Sequence, residues 1–284
     1  MVRKFNLLNE KGQSFSLMDI YNYCFLTDPS GLGYGYETSY ESLGNIFILN
    51  LRKNLQNTIT GTLNFINYDN YKKFVDFIEN SEELKFEYTI PYKDKEKTFL
   101  KDILLQEISK SEIKENGIIS EDVKFDCLSL WYEENIAIYS MKAQDSELRW
   151  DFKWDSKFTD YSSRTLKYVN TGHIEAPVLI EIEGEAIIPK IELLVEGELY
   201  QTLEIQTTIA EYEKLLYCTR ENNFYINKQN TDGTIENLFK EGYIDINNDN
   251  VIRLPKNRSC EIRLSAQNEI RNAKITIYPQ YKAV

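Results

Sequence analysis

The stretch FLTDPSGLGYGYETSYESLGNIFIL, residues 25–49, sets Gly31, Gly33 and Gly35 among tyrosines. Glycine-rich loops cradle phosphates when their backbone N–H groups converge. That chemistry needs a following Lys-Ser/Thr, or the spacing GxGxxG and an opening helix. Here Tyr36 follows Gly35, the next glycine is Gly44, and no helical pattern begins, so nucleotide binding is disfavoured. What remains is a contact surface, because glycine permits positive φ and close backbone approach while tyrosine supplies rigid contact area. Pro29, Gly31, Leu32, Gly33, Tyr34, Tyr36 and Tyr40 make up this candidate contact loop.

Other residues could do chemistry on their own. His173 is the single histidine, in NTGHIEAP, with Ser162 and Ser163 nearby. A Ser–His site is a matter of geometry, and a lone histidine in a turn reads as a turn residue. Glu181, Glu183 and Glu185 could supply the paired carboxylates of a glycosidase. They alternate with Ile180, Ile182 and Gly184, the pattern of a strand with a solvated face. DINNDN at residues 245–250 imitates a calcium loop, but the positions that want Gly and Glu hold Asn250 and Lys256. Trp150 and Trp154 could form a sugar-stacking platform, although their place in ELRWDFKWDSK, where composition changes, favours a domain junction. No catalytic, cofactor or metal-binding residue is assigned.

The elements that must position these residues read as strands. In the first half, residues 4–8 and 14–18 flank the turn NEKG as a short hairpin. Ile59, Gly61, Leu63 and Phe65 alternate with Thr58, Thr60, Thr62 and Asn64, predicting a sheet with one dry and one wet face. A helix follows, with Asp69 as expected N-cap and Tyr71, Phe74, Phe77 and Ile78 at helical spacing. Strands are expected over 84–90, 98–113 and 123–132, with a charged hairpin tip at 91–97. The second half is a series of short alternating segments separated by turn signals, over 163–170, 176–183, 190–196, 199–207, 214–219, 223–227, 236–239, 251–254, 260–266 and 274–278. That pattern predicts a β-sandwich or jelly roll.

Composition bounds the function. With 284 residues, 42% hydrophobic and 27% charged, the chain suits one large or two ordinary globular domains. A formal net charge of −12 argues against nucleic-acid binding, which needs a basic face, though a negative wall suits a surface that DNA slides past. Cys24, Cys127, Cys218 and Cys260 stand far apart with no CxxC, so buried, reduced thiols are expected rather than a zinc site. No apolar run approaches membrane-spanning length, so no membrane insertion is expected.

The order FNLLNEKGQSFSLMD, then the glycine loop, then a strand pair and the helix NYKKFVDFIE resembles the distal tail protein family of long-tailed phages infecting Gram-positive bacteria. The motifs are Pro29 with Gly31-Leu32-Gly33, then Tyr40, then Gly44 to Phe47, and late in the chain Leu254-Pro255-Lys256-Asn257, where the family usually has Pro-Gly. The resemblance implies a mainly β chain. Residues 1–140 would be a ring-forming, tube-protein-like β-sandwich domain with one helix and a long hairpin, and 141–284 a peripheral, galectin-like β-sandwich. It implies a non-enzymatic virion part at the phage tail tip, made in the host cytoplasm. Six copies would form a ring joining the tail tube protein to a tail-associated or tail-fibre hub protein, with receptor-binding or baseplate proteins on the outer domain and DNA passing through the channel. The glycine loop would lie at a ring seam or tube junction. The alternative from the residues is a carbohydrate-binding adhesion module recognising a cell-wall glycan.

Overall fold

The computed structural model describes residues 3–19, 23–93, 95–113, 117–140, 163–240, 242–246 and 249–284. The chain is mainly β, with one α-helix among the described residues. It divides into two compact units, the first of residues 1–133 together with 281–284 and the second of 134–280. The strand Asn135–Ser140 pairs with Asn272–Ile277, so it lies in the second unit.

The first unit is built on a single ten-stranded sheet. Its main path runs Ser14–Ser16, Lys4–Asn9, Leu84–Tyr92, Lys95–Ile108, Ile119–Cys127, Thr58–Phe65, Cys24–Ser30, Met18–Asp19. Leu17 ties the two ends of that path together. Its N–H donates to Phe5 O at 2.9 Å, and its carbonyl accepts from Leu26 N–H at 2.8 Å, so the sheet curls round on itself. The alternation in Thr58–Phe65 has the expected sense: Ile59, Leu63 and Phe65 are buried. The opposite face is a hydrogen-bonded polar surface, with Thr62 Oγ1 donating to Asp122 at 2.9 Å and Ser120 Oγ to Asn64 at 2.9 Å.

The helix Tyr68–Glu79 lays Phe74 and Ile78 on this core, with Phe74 5.5 Å from Phe15 and 5.6 Å from Phe65 between ring centroids. Its N-cap is Asn67, not the expected Asp69. The Asn67 side chain accepts from Asn70 N–H at 3.0 Å from an extended backbone, while Asp69 falls inside the first turn. Both residues suit helix starts, and Asn67 takes the position because helical backbone already begins at Tyr68. The strand expected over 123–132 is broken. It ends at Cys127, where Leu128 N–H turns to Asp102 O and Ser129 Oγ accepts from Asp102 N–H, and resumes only at Trp131–Tyr132. The strand expected over 98–113 stops at Ile108, and Ser111 N–H bonds the Glu121 carboxylate instead of a neighbouring strand.

The second unit is a β-sandwich. A seven-stranded sheet runs Asn135–Ser140, Asn272–Ile277, Ala176–Glu183, Lys214–Arg220, Asn223–Gln229, Ile235–Asn237, with Arg253–Leu254 added to Ala176–Glu183. A four-stranded sheet of Ser163–Val169, Ser259–Ser265, Lys190–Val195 and Glu198–Glu204 faces it. Val178, Ile180, Ile182, Leu215 and Ile275 of one sheet share a core with Ile191, Leu193, Ile262 and Leu264 of the other. All four cysteines are buried and free, and burial pushes the Cys24 thiol up to about 12.

The capping assignment has a measurable consequence. Asn67→Ala should cost about 1 kcal/mol in a urea melt, more than Asp69→Ala, which removes only a first-turn charge. Equal losses would return the cap to Asp69.

Candidate assembly surface

Beyond the ten-stranded sheet, the first unit sends out a separate two-stranded hairpin, Tyr36–Leu43 paired with Ile46–Asn54. Leu43 opposes Ile46 across the two-residue turn Gly44-Asn45, and Gly44 has φ of +62°, as tight hairpin turns require. The hairpin pairs with no other strand among the described residues. Tyr40, Phe47 and Leu49 share one face, and Leu43, Ile46 and Ile48 the other. All six are exposed, Phe47 to 76%. An isolated two-stranded ribbon is marginal in water, and contiguous exposed apolar surface of this kind marks a site of association.

The glycine loop is the root of this hairpin, and its residues divide into two groups. Gly31 and Leu32 face inward. Gly31 has φ of +80°, and a Cβ on it would lie 1.9 Å from Thr58 O. Leu32 packs against the first core, and its carbonyl accepts from Trp131 Nε1 at 3.0 Å. The other members lie toward the surface. Gly33 has nothing within 4 Å of a hypothetical Cβ, its carbonyl accepts from the Asn57 amide, and Tyr34 is exposed. Pro29 is half-buried at the end of Cys24–Ser30. Tyr36 opens the hairpin. Its ring lies 5.6 Å from Tyr34, 3.9 Å beneath the Arg52 guanidinium and 5.0 Å from the Lys282 ammonium, which also donates to its hydroxyl at 2.8 Å. That hydrogen bond, with the nearby positive charges, holds the Tyr36 phenol below its usual range.

Arg52, Lys282 and the apolar hairpin tip were not singled out as site residues in the sequence. The signal for the tip was available in Leu43-Gly44-Asn45-Ile46, a two-residue turn between apolar-rich runs. Nothing local signals Lys282, because its partner lies 246 positions away.

The remaining candidates fall elsewhere. The His173 backbone N–H donates to Gln280 O at 2.7 Å within the second unit, and Ser162 lies outside the described residues. Glu181 pairs with Lys274 at 2.8 Å and Glu183 with Lys214 at 2.5 Å on the outer face of their sheet. In the stretch resembling a calcium loop, Asn250 donates to Asp245 O at 2.9 Å and its carbonyl accepts from Tyr217 Oη at 2.7 Å. Among the described residues no group of three His, Cys, Asp or Glu is placed to hold a metal ion. Asn257 adopts φ of +56° and donates its N–H to Asn170 O at 2.9 Å, forming the turn of the late Leu254–Asn257 motif. Trp150 and Trp154 lie outside the described residues.

Residues 4–128, which hold the main path of the curled sheet, the helix and the hairpin, match the family described as the distal tail protein, N-terminal domain. The chain carries the N-terminal domain of the distal tail protein family. Solved structures extend the likeness of fold over both units. Two structures of the phage p2 baseplate in its activated conformation, with Sr and with Ca, align at TM-score 0.66 and 16% and 17% identity, covering 100% of each chain. The crystal structure of the SPP1 Dit protein, described as a paradigm of the hub adsorption apparatus in phages infecting Gram-positive bacteria, aligns at TM-score 0.54 and 11% identity over 96% of this chain and 98% of that one. No curated protein matches. The distal tail domain is thus a structural domain of phage tails, and no helix of the described residues is long and apolar enough to cross a membrane.

The close approach at the root is testable. Gly31→Ala should destabilise the distal tail domain by roughly 2–4 kcal/mol, from strained backbone and a backbone clash together. Gly33→Ala should stay within about 0.5 kcal/mol. Thermal melts of the two variants should differ by many degrees, and coincident melts would contradict the close packing of Gly31 on Thr58.

Proposed function

We propose that this chain is a hub of the phage tail tip, in which six copies close into a ring between the tail tube protein and a tail-associated or tail-fibre hub protein. One observation carries the reading: a hairpin apolar on both faces stands free of the sheet in a distal tail protein domain. A hairpin of this kind has to be covered, and a second copy of the same domain supplies a neighbour at every ring position. The ring is heterologous, hairpin of one copy against a different patch of the next, and rotation closes it. Tyr34, Tyr36 and Tyr40 belong to the contact side of the seam, while Gly31 and Leu32 hold the root.

The negative balance suits a channel through which DNA passes without specific binding. The second unit, galectin-like in this reading, docks receptor-binding or baseplate proteins. The role is that of a structural part of the virion, with no reaction assigned to it.

Light scattering on the purified chain should find an assembly of about 200 kDa, six chains of 33.4 kDa. Phe47→Glu with Leu49→Lys should return the chain to monomer. The melting temperature should hardly move, since exposed positions contribute within about 0.5 kcal/mol. A ring that survives both charges would move the seam off the hairpin. A wild-type chain that stays monomeric even with tail tube protein would remove the hub reading.

A further inference from the structure

The segment 281–284 follows the second unit in sequence yet belongs to the first in space. Tyr281 is only 7% exposed and packs edge-on to Phe99 at 5.3 Å. Lys97 Nζ lies 4.9 Å from both of these rings and pairs with Glu133 at 2.5 Å. Val284 packs against the same core. Between these two anchors Lys282 reaches out and donates to Tyr36 Oη at 2.8 Å. The ring it meets is held from the opposite strand of the hairpin by Arg52.

This contact matters because the hairpin has little else to fix its direction. Its two strands pair only with each other, and the backbone hydrogen bond at its base runs from Leu55 N–H to Gly35 O at 3.0 Å. Among the described residues, the hydrogen bond from Lys282 is the one that reaches the two hairpin strands from outside the hairpin and its root. A ribbon held only at its root swings. A closed ring of six tolerates little swing, because each copy must turn the next by about 60° and angular errors accumulate around the circle.

We propose that residues 281–284 are a latch for the assembly arm, with Lys282 as the positioning residue that sets the direction of the hairpin for ring closure. The proposal rests on the hairpin being the ring seam. It assigns a role in assembly to a segment that lies outside residues 4–128 and is separated from them by the whole second unit.

Two readouts on the full chain separate this proposal from the reading beneath it. Hydrogen–deuterium exchange on dilute monomer reports the hairpin alone. Lys282→Met, which keeps the stem and removes the donor, should speed exchange over 36–54 by about tenfold while the core strands stay protected. Tyr36→Phe should do the same, and the double variant should be no worse than either, as expected for two halves of one contact. Light scattering then reports assembly: each single variant should raise the concentration for half assembly by about tenfold, with an unchanged melting temperature, and Lys282→Arg should recover part of the loss. Unchanged exchange in Lys282→Met overturns the latch whatever the ring does. Faster exchange with unaltered assembly also overturns it, since the hairpin's direction would then not matter to closure. A wild-type chain that never assembles removes the ring reading and the latch's role in it together, while the exchange result still tells whether Lys282 holds the hairpin.

Discussion

The carbonyl of Thr58 occupies the space a side chain at residue 31 would need. The root of the hairpin depends on that close approach. It lets the chain leave the strand Cys24–Ser30 in a left-handed conformation and cross tightly over the start of Thr58–Phe65. The hairpin Tyr36–Asn54 that follows pairs with no strand of the ten-stranded sheet among the described residues. A side chain at residue 31 would push the two backbones apart, and the neighbouring Leu32 carbonyl would lose its place against Trp131 Nε1. The glycine loop is therefore the root of the hairpin, and the exposed apolar residues proposed as the contact surface lie further out, on residues 40–51.

Strand periodicity was the most legible part of the fold. Ala176–Glu183 was expected with its observed bounds, because Val178, Ile180 and Ile182 alternate cleanly and Pro177 and Gly184 stand near its ends. The dry face of Thr58–Phe65 was legible for the same reason. Local alternation fails where long-range hydrogen bonds decide. The break after Cys127 depends on Asp102 and Ser129 meeting across the sheet, and no pattern within residues 123–132 reports it. The helix start was displaced by two residues because Asn67 and Asp69 both look like caps, and only the backbone conformation distinguishes them.

The candidate site was half legible. The tyrosines and glycines of residues 29–40 were visible by composition, but their division into an inward root and an outward arm depends on one interatomic approach. The apolar run Ile46-Phe47-Ile48-Leu49 with Leu51 is visible in the sequence, but a sequence does not show whether anything covers it. Lys282 had no signal at all: a lysine near the end of a strand-rich unit looks like a solvated charge until its tyrosine is found.

The return of residues 281–284 to the first unit also bears on how the protein is made. A ribosome finishes the hairpin early, then must synthesise all of residues 134–280 before the packing around Phe99 can be completed by Tyr281. At roughly 5–20 residues per second that interval lasts roughly 7–30 s. During it the exposed apolar hairpin exists without the hydrogen bond from Lys282 to Tyr36. Under the proposed latch, neighbouring nascent chains on one message would carry apolar arms not yet held by Lys282, and that hold would form only after the second unit has been synthesised.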